Sequence, residues 1–298
     1  MLVAAGTFGY GVEFAGVVRV DRLGGLIVKT LTRQPRAGNP PPRLVETPAG
    51  MLNAVGLQNI GLEAFIAEKL PALRPLGVPI IVSILGDSAE DVGVMVERLD
   101  RTDGVSAIEL NLSCPNLKRG SGGRGTGNGL MVAQDPAATF AMVQAARGRT
   151  AKLLIAKLSP DVTDLVLIAQ EAARAGAGAL SLVNTFVGMS LDPRSGRSRL
   201  GRMTGGLSGP AIRPLAVYRV WYTAQAVGLP IIGSGGIACA DDAMEFMRAG
   251  ATAVAVGTAN FTDPRAPLRV LCGLQRYLTR HRVASVKELL GTAQGSDD

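Results

Sequence analysis

The stretch Leu153-Leu-Ile-Ala-Lys-Leu-Ser-Pro-Asp-Val-Thr-Asp-Leu-Val-Leu-Ile-Ala-Gln-Glu-Ala-Ala-Arg-Ala-Gly-Ala-Gly-Ala-Leu-Ser-Leu-Val-Asn184 reads as one strand–helix–strand unit. Leu153–Leu158 is apolar at successive positions up to Lys157, instead of at alternate ones, as strands covered on both faces of a parallel sheet are. Val162–Ala175 then carries apolar residues at helical spacing, with a start signal at Ser159-Pro160 and a stop at Gly176. A second continuous run, Ala179–Asn184, completes the unit.

The same alternation extends in both directions. Upstream lie the strand-like runs Leu2–Ala5, Leu26–Lys29, Pro79–Leu85 and Ala107–Leu112, and downstream Pro230–Ser234 and Ala253–Gly257. Helical periods fill Leu62–Leu76, Ala89–Leu99, Pro136–Arg147, Pro210–Val227 and Asp241–Ala249. Eight strands in one continuous alternation predict the α/β class and a (β/α)8 TIM barrel, with a doubly wound open sheet as the alternative. One domain over residues 1–290 is expected, followed by a disordered tail at 291–298. Three connections are long: Thr30–Asn59, Pro115–Gln134 and Thr185–Gly209, after the second, fourth and sixth strands. In a barrel these lie on the face that carries the active site.

Composition narrows the chemistry. With 298 residues, 47% hydrophobic and 18% charged, the chain folds around a core. Its three cysteines, Cys114, Cys239 and Cys272, form no Cys-x-x-Cys pair. A disulfide framework, an intrinsic iron–sulfur cluster or a cysteine zinc site is therefore not expected, and a reducing cytoplasm fits. Cys239 and Cys272 fall in helical patterns and read as core residues. The single histidine, His281, sits in the basic stretch Arg276–Arg282, which excludes histidine-based catalysis. The net charge is +7, yet the arginines are scattered, so neither nucleic acid nor a membrane is an expected partner. No apolar run approaches the roughly 20 residues of a membrane span, and no signal peptide opens the chain.

Polar residues gather where the apolar runs end. Lys29-Thr30, Asn111, Lys157 and Asn184-Thr185 all close predicted strands. Only six of the 31 basic residues are lysines, and two of them stand at strand ends, which points to an anionic ligand as readily as to snorkelling side chains. Gly233-Ser-Gly-Gly-Ile237 and Gly257-Thr-Ala-Asn260 occupy the place where barrels bind phosphate through backbone N–H groups. The competing dinucleotide fingerprint, Gly233-x-Gly235-x-x-Ala238, lacks the acidic residue at the end of the next strand. Cys114 lies between Ser113 and Pro115, where packing does not ask for a cysteine, and as a thiolate it is a candidate base or nucleophile. Asn53, Asn111, Asn116 and Asn184 each offer a donor and an acceptor, suited to reading a flat hydrogen-bonding ring.

The motif Asn111-Leu-Ser-Cys-Pro-Asn116 occurs with Gly6-Thr-Phe-Gly9, Asn53-Ala-Val-Gly-Leu-Gln-Asn59, Lys157-Leu-Ser-Pro160, Gly205-Gly-Leu-Ser-Gly-Pro-Ala211 and Val256-Gly-Thr-Ala-Asn260. Together, from Met1 to about Pro264, these resemble class 1 dihydroorotate dehydrogenase, most closely the catalytic subunit of the NAD-dependent class 1B type. The resemblance implies an FMN barrel that oxidises dihydroorotate to orotate in pyrimidine synthesis. It assigns Cys114 as the base that takes the C5 proton. Lys29, Asn53, Asn111, Asn116, Asn184 and Thr185, with Ala54, Val55, Gly56 and Leu57, would hold the substrate. Ala5, Gly6, Lys29, Thr30, Ser83, Asn111, Lys157, Val183, Gly209, Gly235, Gly236, Gly257 and Thr258 would hold FMN. A partner subunit would carry FAD and a [2Fe-2S] cluster, giving a heterotetramer around a homodimer; no metal is expected on this chain.

The chain departs from the family pattern in four places. Ala5 stands where a serine is common and Ser83 where an asparagine is common. The glycine-rich loop after Cys114 is long, and the hairpin that usually precedes the first strand is not seen. A dihydropyrimidine dehydrogenase-like flavoenzyme, a non-catalytic FMN-binding subunit and a phosphate-binding barrel without redox chemistry are the rival readings.

Overall fold

The computed structural model describes residues 1–112 and 132–295. In chain order the strands are β1 (Leu2–Val3), β2 (Gly25–Ile27), β3 (Leu44–Thr47), β4 (Gly50–Asn53), β5 (Ile80–Ile84), β6 (Ala107–Asn111), β7 (Leu153–Lys157), β8 (Ala179–Leu182), β9 (Phe186–Gly188), β10 (Gly205–Ser208), β11 (Ile231–Ser234) and β12 (Ala253–Val256). The α-helices are α1 (Leu62–Ala64), α2 (Leu70–Leu73), α3 (Ala89–Asp100), α4 (Pro136–Arg147), α5 (Leu165–Arg174), α6 (Arg213–Ala224), α7 (Ala240–Arg248), α8 (Ala259–Thr262) and α9 (Ala266–Arg280).

Eight strands close in the order β1-β12-β11-β8-β7-β6-β5-β2, every neighbouring pair parallel. This is the TIM barrel expected from the continuous apolar runs. Inside it, Leu2, Ile27, Ile81, Ala107, Ile155, Ala179, Ile232 and Ala255 form a core of their own. Small and large side chains alternate around most of the ring, which lets a narrow interior fill without voids. A larger core packs the outer strand faces against the helices, with Phe246, Leu180 and Ile108 fully buried. Because side chains alternate along a strand, the inward residue two positions beyond the apolar layer lies nearer the C-terminal mouth. On β7 that step leads from Ile155 to Lys157, and on β6 from Ala107 to Glu109 and then Asn111.

Several elements differ from the expectation, each for a local reason. Helix α5 starts at Leu165 and not near Ser159-Pro160, because the Asp164 side chain caps it, accepting from Val166 N at 2.9 Å and Leu167 N at 3.2 Å. The run Leu62–Leu76 is split into α1, a π turn over Phe65–Lys69, α2 and a 3-10 turn over Arg74–Leu76. Pro71 and Pro75 lack the N–H that would continue the α-helical ladder. Between β1 and β2 the described chain makes only 3-10 turns, Val12–Phe14 and Val20–Arg22. Helix α9 follows β12 and contains Cys272, whose sequence context reads as helical without marking bounds. Cys239 is exposed at the N-cap of α7 and Cys272 is half-buried, so neither is the core residue its helical pattern suggested. Where a disordered tail was expected from residue 291, Gly291 N donates to Met247 O and Ala293 N to Arg248 O, both at 3.0 Å.

The largest departure lies in the long connections. Those after β2 and β8 fold into a second, antiparallel sheet, β3-β4-β10-β9, in which Asn53 pairs with Gly206 and Leu207 with Phe186. Leu52, Ala54 and Leu200 form its small core. The connection after β2 is then returned to the barrel side, where Tyr10 Oη accepts from Ile60 N at 3.1 Å. Burial pushes the Tyr10 phenol above the usual tyrosine range, partly offset by that hydrogen bond.

Phe246 is wholly enclosed between α7 and the barrel. Phe246→Ala is expected to lower the unfolding free energy by about 3–5 kcal/mol, measurable as a shift of the urea unfolding midpoint.

Candidate active site

A cavity of about 1080 Å³, open mouth included, lies at the C-terminal end of the barrel. Most of the residues singled out in the sequence meet there. Ala5, Gly6, Lys29, Thr30, Asn111, Lys157, Val183, Asn184 and Thr185 reach it from the ends of β1, β2, β6, β7 and β8. Asn53, Val55, Gly56 and Leu57 come down from β4 and the segment after it, and Gly209, Gly235, Gly236, Gly257 and Thr258 supply the opposite wall.

Two residues do not line the cavity. Ala54 is fully buried in the core of the second sheet, its N–H donating to Arg43 O at 2.7 Å, because alternation along the strand turns it away from its neighbours Asn53 and Val55. Ser83 is fully buried below the cavity and bonded to Thr30 and Glu109. Neither side chain lines the cavity as the sequence reading expected. Cys114 and Asn116 lie outside the described residues. The sequence reading missed Ala4, Thr7, Leu44, Met51, Ser208, Ile212, Ser234 and Phe261, all of which line the cavity. Ser234 could have been found, since it closes a predicted strand in the same way as Lys157. Leu44 and Met51 could not, because the hairpin that carries them was read as a loop.

The amides and hydroxyls are ordered by one another. Asn111 Nδ2 donates to Thr30 Oγ1 at 3.1 Å, Asn184 Nδ2 to Asn111 Oδ1 at 3.5 Å, and Thr185 N to Asn184 Oδ1 at 2.8 Å. Asn53 Nδ2 donates to Gly206 O at 3.2 Å, tying the second sheet to the mouth. A Cβ on Gly206 would lie 2.1 Å from Thr185 Oγ1, so that close approach requires glycine.

The opposite wall has the character of an anion cradle. Gly236 has φ +77°, and a Cβ there would lie 2.8 Å from both Gly209 O and Arg213 Cβ. Asp242 fixes the loop that follows, accepting from Ala238 N at 2.8 Å and Cys239 N at 3.0 Å while paired with Arg213. Among the described residues no oxygen accepts from the backbone N–H groups of Gly235, Gly236, Gly257 or Thr258. Thr258 Oγ1 donates to Ser208 Oγ at 2.8 Å on the rim. Across the cavity, Lys157 is only 6% exposed, and its ammonium makes no hydrogen bond or ion pair among the described residues. A buried ammonium without a partner is costly unless a ligand supplies one. The cavity therefore offers a cation, a ring of oriented amides and a set of backbone donors to one bound molecule, which favours an anionic, hydrogen-bonding ligand.

Comparison with known proteins agrees with this chemistry. The family model described as dihydroorotate dehydrogenase matches residues 1–278. A dihydroorotate dehydrogenase B (NAD(+)) catalytic subunit of Geotalea uraniireducens is 51% identical over 291 residues, covering 98% of this chain and 93% of the relative. The proteins of the same name from Geobacter metallireducens and Trichlorobacter lovleyi are 48% and 46% identical, each covering 99% of this chain and 94% of the relative. No helix among the described residues is long and apolar enough to cross a membrane.

Lys157 places a buried cation in the cavity wall. Lys157→Met is expected to stabilise the ligand-free protein by about 0.5–2 kcal/mol and to weaken anion binding, as paired denaturant and ligand titrations will read.

Proposed function

The chain belongs to the dihydroorotate dehydrogenase family, and from that premise we propose that its cavity oxidises (S)-dihydroorotate to orotate in pyrimidine synthesis, using FMN. The observation that carries this reading is the meeting of Lys29, Asn53, Asn111, Asn184 and Thr185 around one cavity in a chain the family matches along most of its length.

The residues present fit a flavin mononucleotide. The unpaired N–H groups of Gly235, Gly236, Gly257 and Thr258 suit its phosphate, with Gly209 leaving room for the approach. Lys157 suits the ring, where a cation stabilises negative charge. A bound flavin would supply the hydride acceptor for C6 of the substrate. Lys29 neutralises the substrate carboxylate, and Asn53, Asn111, Asn184 and Thr185 hold the N–H and C=O groups of its ring. Asn116 joins them by its place in the Asn111–Asn116 motif. Cys114 removes the C5 proton, the role of base that its place in the Asn111–Asn116 motif gives it. Val55, Gly56 and Leu57 shape the substrate side, and Ala5, Gly6, Thr30 and Val183 the cofactor side.

A partner subunit would carry FAD and a [2Fe-2S] cluster and supply the electron route from this chain to NAD. Three cysteines without a Cys-x-x-Cys pair leave the cluster to another chain. The assembly is a heterotetramer of two catalytic and two electron-transfer subunits, working in the cytoplasm. If the chain is isolated from its native host with no companion subunit, this part of the proposal fails.

Adding L-dihydroorotate to the anaerobic holoprotein is expected to bleach the visible flavin band. In Cys114→Ala and Cys114→Ser the bleaching should slow by about 10²–10⁴-fold. A colourless protein, or a yellow one that dihydroorotate leaves oxidised, overturns the reading. Gly236→Ala should purify with little flavin, because the added Cβ collides with Gly209 O; full flavin content would place the phosphate elsewhere.

A further inference from the structure

Glu109 points into the barrel one step below Asn111, is fully buried, and does not line the cavity. Its Oε2 atom has no hydrogen-bond partner among the described residues, an unusual state for a buried carboxyl oxygen. Its Oε1 atom accepts a hydrogen bond from Ser83 Oγ at 2.9 Å.

A hydroxyl has one proton to give. Since Ser83 spends its proton on Glu109, it can only accept from Thr30, 2.9 Å away. Thr30 in turn spends its proton on Ser83 and can only accept, at 3.1 Å, from Asn111 Nδ2. That orients the Asn111 amide, so Oδ1 is the atom that meets Asn184 Nδ2 at 3.5 Å, and Asn184 Oδ1 is left to accept from Thr185 N. Every donor in the relay points towards Glu109. An amide turned over at Asn111 would set two N–H groups against each other at Asn184.

We propose that Glu109 is a positioning residue whose carboxyl, acting through Ser83 and Thr30, fixes the donor–acceptor polarity of Asn111 and Asn184. It thereby selects ring substrates whose N–H and C=O groups alternate in the matching order. The inference rests on the proposed dihydroorotate site, since the amides it orients are the ones that would read the ring. The relay spans residues 30 to 184 in sequence, and only closure of the barrel makes it continuous.

The test uses the holoprotein with Glu109→Met, Glu109→Gln, Ser83→Ala and the double variant E109M/S83A. Orotate affinity is measured by titration calorimetry alongside flavin content, melting temperature, kcat and KM. Glu109→Met, which removes the acceptor at similar volume, should weaken orotate by about tenfold or more, the scale of a misdirected polar contact. KM for dihydroorotate should rise more than kcat falls. Ser83→Ala should match it, and the double variant should be no worse than either single one, because both break the same relay. Glu109→Gln keeps a carbonyl oxygen for Ser83 and should recover most of the loss. Equal orotate affinity in Glu109→Met and wild type overturns the proposal, as do additive losses in the double variant or a fall in melting temperature that Glu109→Gln does not repair. If wild-type holoprotein does not bind orotate, the functional reading itself fails and this inference with it.

Discussion

The ladder that pairs Leu2 with Ala255 and Val3 with Val256 joins the first strand to the last and closes the sheet. Closure removes both sheet edges and leaves each strand one inward face, on which every second residue must fit a narrow interior. The apolar ring of Leu2, Ile27, Ile81, Ala107, Ile155, Ala179, Ile232 and Ala255 fills that interior. The next inward positions, Glu109 and Lys157 among them, cannot also be solvent-facing. They are polar groups at the floor of a cup, and the cup is where a ligand can meet them.

This arrangement concentrates cost at one end of the molecule. Lys157 is buried and unpaired among the described residues, Glu109 carries an unpartnered oxygen, and Gly236 is held at positive φ. Each would be poor design for stability alone. The apolar ring below and the large core outside the strands offset that cost, with Phe246, Phe65 and Leu180 fully enclosed. The site is therefore rigid where it must be pre-organised: hydroxyl and amide orientations are set by a relay ending in a carboxyl that never touches the cavity. In a medium of low dielectric such a continuous chain holds its direction better than isolated pairs in water would.

The second sheet completes the cavity without belonging to the barrel. Its strands come from two separate connections, joined by the Asn53–Gly206 and Leu207–Leu52 pairings, the first of them spanning 153 residues of chain. Asn53 reaches the mouth because β4 is anchored to β10 on one side and β3 on the other. Loops that carry function are often built this way, as a small folded cap set on a rigid scaffold.

The sequence alone determined the barrel, because eight apolar runs in continuous alternation with amphipathic segments leave few ways to bury both strand faces. It also determined most of the cavity: Lys29, Asn111, Lys157, Asn184 and the glycines after β11 and β12 end predicted strands, and strand ends in a parallel barrel share one mouth. Tertiary structure decided the rest. β3, β4, β9 and β10 carry no continuous apolar run that would mark them in the sequence, and they become strands only by pairing with one another. Ala54 and Ser83 sit in motif positions whose neighbours line the cavity, but only the direction of each Cβ says which way the side chain faces. Ser234 and Glu109 show the same limit from the other side. A residue's identity is local, whereas its contacts depend on which strand lies beside it, and that is fixed only when the sheet closes.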